Sequence, residues 1–132
     1  MATIFRSVTV PMPADAAWAR IRRFDDPAAL APGFVASCAM SEGDRVVSFV
    51  DGGSVREMLI SSDDGRARLS YGAVGGKARF HHAAMQVVAL DDRSSRIEWT
   101  TDVLPDEMAP FVAARMDAGL EAIRHGMDVA AP

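Results

Sequence analysis

Apolar residues recur every second position between Phe34 and Asp102 and every third or fourth position from Pro105 onward. A chain with that switch of period builds a run of strands and then lays one long amphipathic helix against them. Turn residues at Gly43, Gly52-Gly53, Asp63-Asp64-Gly65, Gly75-Gly76 and Asp91-Asp92 cut the first stretch into about six strands joined by hairpins. Alternation is clearest at Arg66 to Tyr71, where Ala67, Leu69 and Tyr71 share one face and Arg66, Arg68 and Ser70 the other. It places Ile97, Trp99 and Thr101 inward and Arg96 and Glu98 outward. In the strand around Val55 both faces are partly apolar, because Val55, Glu57 and Leu59 alternate with Arg56, Met58 and Ile60. Periodicity leaves its orientation open.

On the closing helix Met108, Val112, Met116, Leu120, Ile123 and Met127 form one stripe, opposite Asp117, Glu121, Arg124 and Asp128. Pro110 predicts a loose first turn and regular helix from about Ala109. Gly119 costs about 1 kcal/mol of helix propensity, a cost that marks either close approach of another element or room for something bound. Before the hairpins, Thr3 to Val10 reads as a strand ended by Pro11 and Pro13. Ala14 to Phe24 follows as a short helix with Ala17, Trp18, Ile21 and Phe24 on its apolar side, and a further turn or two ends by Pro32. The order strand, two short helices, six strands, long helix is α+β, with an antiparallel sheet and no βαβ unit. No linker or repeat divides the chain, so residues 1–132 are expected to form a single domain.

A formal charge of -4, from 14 Lys+Arg against 18 Asp+Glu, gives no cationic field for a phosphate backbone, and nucleic acid is not an expected partner. The lone Cys38 reads as a small buried residue in a reducing compartment. No apolar run reaches membrane-spanning length and the N-terminus carries no secretory signal, so the expected location is the cytoplasm.

The opening strand with Val10 to Trp18, the hairpin segment Ser54 to Leu59, the triplet Leu69-Ser70-Tyr71, the segment Arg96 to Trp99 and the closing helix stand in an order that resembles the START-like (SRPBCC) superfamily. The branch most similar is that of polyketide cyclases/dehydrases and lipid transport, related to the birch-pollen allergen fold. The resemblance implies a helix-grip fold: a curved seven-stranded antiparallel sheet around a long C-terminal helix, two short helices between strands 1 and 2, and an internal cavity. It leaves function open, since similar proteins include carriers, receptors, cyclases and co-chaperone-like modules.

Several chemistries are set aside by spacing. Gly52-Gly53-Ser54-Val55-Arg56 lacks the closing glycine of a nucleophile elbow, and Gly75-Gly76-Lys77 lacks the upstream glycine and the Ser/Thr of a phosphate loop. Both are turns. His81 and His82 are adjacent on a strand and point to opposite faces, so no metal site and no cofactor is expected.

The strands that line the cavity in the resembling family carry Glu57, Tyr71, His81 and Trp99. An inward Glu57 needs a partner or a proton, because an unpaired buried charge costs several kcal/mol; Arg115, Tyr71 and His81 are the candidates. Three readings are open. Glu57 pairs with Arg115 or a backbone group and only fixes its strand, or faces solvent. Alternatively, the cluster holds the polar end of a small hydrophobic molecule (a lipid, polyketide or aromatic metabolite) against Leu59, Trp99, Met108, Val112 and Met116. A third reading makes Glu57 or His81 a general base and Tyr71 a donor to an enolate, as in a cyclase or dehydratase. Trp18 and Met127 are expected in the core, Met108 and Met116 at the pocket, and His82 and His125 in solvent. A binder is marked by an apolar cavity above roughly 300 Å³. An enzyme requires Glu57, Tyr71 and His81 to converge on one point. An interaction module requires a filled interior and an exposed apolar patch. Monomer and homodimer both remain open.

Overall fold

The computed structural model describes residues 1–131. Strand β1 (Ala2–Val10) leads through α1 (Ala14–Ile21) and α2 (Pro27–Leu30) into six consecutive strands: β2 (Val35–Ser41), β3 (Asp44–Phe49), β4 (Ser54–Asp63), β5 (Arg68–Val74), β6 (Phe80–Ala89) and β7 (Ser95–Leu104). A 3-10 turn at Asp106–Met108 precedes the long helix α3 (Ala109–Ala130). The loose turn falls where Pro110 requires it.

The seven strands form one antiparallel sheet in the order β1-β7-β6-β5-β4-β3-β2. Hairpins alone would leave β1 beside β2. Instead α1 and α2 carry the chain across the sheet, and β1 pairs with β7 in unbroken register from Ala2↔Val103 to Val10↔Ser95. This crossover puts both short helices on the same face of the sheet as α3.

α1 buries Ala17, Trp18 and Ile21 and carries Asp15 in its first turn and Arg20 in its last, where each complements the helix dipole. It ends at Ile21, short of the expected Phe24, yet Phe24 remains buried in the turn that follows. The Trp18 indole donates to Asp64 Oδ1 at 2.9 Å, tying α1 to the β4–β5 hairpin. α2 is capped by Asp26, whose carboxylate accepts from the Ala29 amide, with Pro27 opening the helix.

α3 buries Val112, Met116, Gly119, Leu120, Ile123 and Met127 over the sheet's inner face. Gly119 marks close approach of other elements. A Cβ there would stand 3.0 Å from the Trp99 ring and 3.2 Å from the Phe34 ring, and the residue also borders a cavity. Removing the side chain at this position lets two aromatic rings reach the helix backbone.

Three local expectations are corrected. Ala67 adopts φ 51° in the β4–β5 turn and is not part of a strand. Ser70 is fully buried, because its hydroxyl shares a 2.8 Å hydrogen bond with the Ser61 hydroxyl on β4. Cys38 is half-buried on β2.

Candidate functional site

A cavity of about 130 Å³ lies between the sheet and the helices. Its walls come from α1, α2 and the following turn (Ile21, Leu30, Phe34), from every strand between β2 and β7, and from α3 between Phe111 and Ile123. Most of the lining is aliphatic or aromatic. The polar side chains in it are Arg45, Glu57, Tyr71, Trp99 and Arg115, and Phe111, 57% exposed, lies where the cavity meets the surface.

Glu57 points inward. β4 pairs with β3 so that Arg45 and Glu57 stand directly opposite each other, and Arg45 Nε donates to Glu57 Oε1 at 2.8 Å. The partner is therefore Arg45 and not Arg115, His81 or Tyr71. Sequence spacing gave no cue to it, because a cross-strand pair depends on register, although an arginine in the otherwise apolar inner positions of β3 (Arg45, Val47) is the signal that could have revealed it. The guanidinium also donates to the Phe24 carbonyl at 3.0 Å and lies over the rings of Phe24 and Tyr71, at 4.2 and 4.8 Å from their centroids. Burial pushes the Glu57 carboxyl above its ordinary value by more than Arg45 draws it down.

Tyr71 is 4% exposed and opens its ring to the cavity. Burial first, and the Glu57 charge second, push its phenol well up, so it stays a neutral donor at physiological pH. The Trp99 indole lies near enough to favour the phenolate slightly. Even so, Trp99 Nε1 is buried and makes no hydrogen bond with any described group.

Arg115 reaches the cavity rim from α3. Its guanidinium stacks on Phe49 at 3.9 Å and on Phe111 at 5.0 Å, and Nη2 lies 3.6 Å from Asp51 on the β3–β4 turn. Nε and Nη1 are buried with no acceptor among the described residues.

Val112 and Met116 line the cavity; Leu59, His81 and Met108 do not. The bulge between Leu59 and Ser61 breaks the alternation of β4, and Leu59 is left 41% exposed beyond the cover of the helices. His81 shares the inner side of β6 with Ala83 and Met85, but sits at the strand's start opposite Val103, with Nδ1 unpartnered and burial holding its pKa down. Met108 ends the 3-10 turn and packs beside Ile4, Val103 and Val112 in a separate apolar cluster. His82 lies on the outer face in a polar groove with Arg68, Glu98 and Asp102. Trp18 and Met127 are core, and His125 is exposed.

Measured against the three marks, the cavity is apolar but smaller than 300 Å³. Glu57 and Tyr71 share it without His81, and the interior is not filled. Three successive apolar residues, Met58, Leu59 and Ile60, are nonetheless exposed on β4. Among the described residues no helix is long and apolar enough to cross a membrane.

A seven-stranded antiparallel sheet closed over by a long C-terminal helix, with an apolar cavity between them, defines a helix-grip protein. The chain belongs to the polyketide cyclase/dehydrase and lipid-transport family, whose sequence model matches residues 1–127. No curated protein matches its sequence. Solved structures share the fold at low identity. An uncharacterized protein from Bacillus thuringiensis is 20% identical with a TM-score of 0.86, over 96% of this chain and 98% of that one. Norcoclaurine synthase from Thalictrum flavum, in complex with dopamine and hydroxybenzaldehyde, is 18% identical with a TM-score of 0.74, over 94% and 84%. The di-domain ARO/CYC BexL of the BE-7585A biosynthetic pathway is 12% identical with a TM-score of 0.84, over all of this chain and 48% of BexL.

Proposed function

We propose that this chain binds a small, largely apolar molecule of single-ring size in the cavity between sheet and α3. One observation carries the reading: an apolar chamber of about 130 Å³ whose few polar groups include a buried indole N–H that makes no hydrogen bond among the described residues. An engineered apolar cavity of about 150 Å³ stays dry and takes up benzene, so a chamber of this size suits one aromatic ring. Tyr71 and Trp99 would supply donors to an oxygen on that ring, while Arg45 and Glu57, already satisfied by each other, hold the wall in shape. The ligands named for the norcoclaurine synthase structure are also single-ring aromatics.

A cyclase or dehydratase is the second reading, favoured by Glu57 and Tyr71 facing one cavity and by the ARO/CYC relative. It has lost His81 as a base, so Glu57 alone would have to take the proton.

Native mass spectrometry of the purified protein, followed by denaturing extraction, tests the binding reading. A stoichiometric adduct of low mass supports it and names the compound class in which turnover is then sought with wild type and Glu57→Gln. A clean apo mass, with no thermal shift from a panel of single-ring aromatics, overturns it.

A further inference from the structure

Arg115 combines aromatic contacts with buried, unbonded charged donors. It lies against the rings of Phe49 and Phe111, yet two of its three nitrogens, Nε and Nη1, have neither solvent nor an acceptor among the described residues. Leaving charged donors buried and unbonded costs more than the roughly 1–3 kcal/mol of a neutral group. Stacking on the two rings offsets only part of that cost, and the ion-pair partner among the described residues, Asp51, is 70% exposed and stands 3.6 Å from Nη2, beyond hydrogen-bond range. Contact with both rings favours a guanidinium held at the rim of the cavity.

We infer that Arg115 is the receptor for a carboxylate carried by the cavity's ligand, which makes that ligand an aromatic or similarly apolar acid. The inference rests on the binding function proposed above and specifies its ligand class. A guanidinium binds a carboxylate in two-toothed fashion along either its Nε/Nη2 or its Nη1/Nη2 edge. Both edges use Nη2, so the incoming carboxylate displaces the loose contact of Asp51. The apolar body then lies inward against Val112, Met116 and Trp99, and the acid group remains at the rim, where the net charge of -4 makes a fixed cation the main attraction for an anion.

Binding of benzoate and of its neutral analogue benzyl alcohol, followed by NMR line shifts at pH 7, is the test. Wild type is expected to bind benzoate at least tenfold more tightly than benzyl alcohol. Arg115→Met is expected to erase that preference while still binding benzyl alcohol, which also reports that the variant is folded. If Arg115→Met does not fold, Arg115→Lys, which keeps the charge and loses the fork, is expected to cut the preference at least threefold. Asp51→Asn should strengthen benzoate binding by removing the competing carboxylate. Equal affinity for the two compounds in wild type, or a preference that survives Arg115→Met, overturns the assignment of Arg115 and leaves the cavity's binding role standing. Binding of neither compound removes that role and this inference with it.

Discussion

Arg45 Nε meets Glu57 Oε1 at 2.8 Å between directly opposed residues of β3 and β4, with side chains only 9% and 11% exposed. Buried pairs of this kind are weak sources of net stability, because desolvation offsets attraction, but each partner is costly to lose alone. Glu57→Leu strands the Arg45 charge and should cost about 3–5 kcal/mol in urea denaturation. The double variant Arg45→Met/Glu57→Leu should recover most of that loss. A double variant no more stable than Glu57→Leu would show that the pair contributes more than geometry accounts for.

Glu57 also sets a pH dependence. Its folded pKa is raised above the ordinary 4.5 by burial, so between that value and the folded one the native state holds a proton that the unfolded chain has released. The associated stability is fully present below pH 4.5 and is lost as pH rises through the folded pKa. Relative to Glu57→Gln, wild type should therefore lose stability as pH climbs above about 4.5, measured by urea midpoints across a pH series. A difference that grows in favour of wild type with rising pH contradicts the assignment.

Gly119→Ala separates helix stability from cavity space. The added methyl gains about 1 kcal/mol of helix propensity and meets Trp99 and Phe34, whose rings border the cavity and can shift toward it. Thermal stability should stay within about 1 kcal/mol of wild type. Affinity for single-ring aromatics should fall at least fivefold by titration. Unchanged affinity would place the ligand away from Trp99.

The Trp18 indole is bonded to Asp64 at 2.9 Å from a side chain 7% exposed, and Asp64 also pairs with Arg22 at 3.2 Å. Asp64→Ala leaves that N–H without its acceptor and should cost about 1–2 kcal/mol in equilibrium unfolding. Trp18→Phe removes donor and ring area together and should cost more, while Arg22→Ala, on the exposed side of Asp64, should cost under about 0.5 kcal/mol.

The seven strands, the long helix, its loose start before Pro110 and the two short helices were all legible in the chain. Each depends on local rules: period, turn residues, proline. The family was legible too, because the order of those elements is itself a pattern. Core placement of Trp18 and Met127 followed from the same stripes.

The candidate site was legible only in part, and the losses have specific causes. Period two decides which residues share a face, but it cannot decide which face of β4 is inner when Glu57 and Arg56 alternate among apolar residues; pairing with β3 decided that. Nor can it foresee that Leu59, opposite Tyr71 and just before a bulge, lies beyond the cover of the helices and stays exposed. His81 had the right face and the wrong position along the strand, since the cavity ends before it. Met108 had the right stripe but fell in the 3-10 turn, one step before the helix geometry that would have aimed it inward. Arg115 was paired with the wrong carboxylate, because a guanidinium chooses among groups brought together from separate elements. The sequence by itself determined the elements and their order, which follow from neighbours a few residues apart. Tertiary structure alone decided the partners of Glu57 and Arg115 and the size of the chamber between them, because those depend on strand register and on where α3 comes to rest across the sheet.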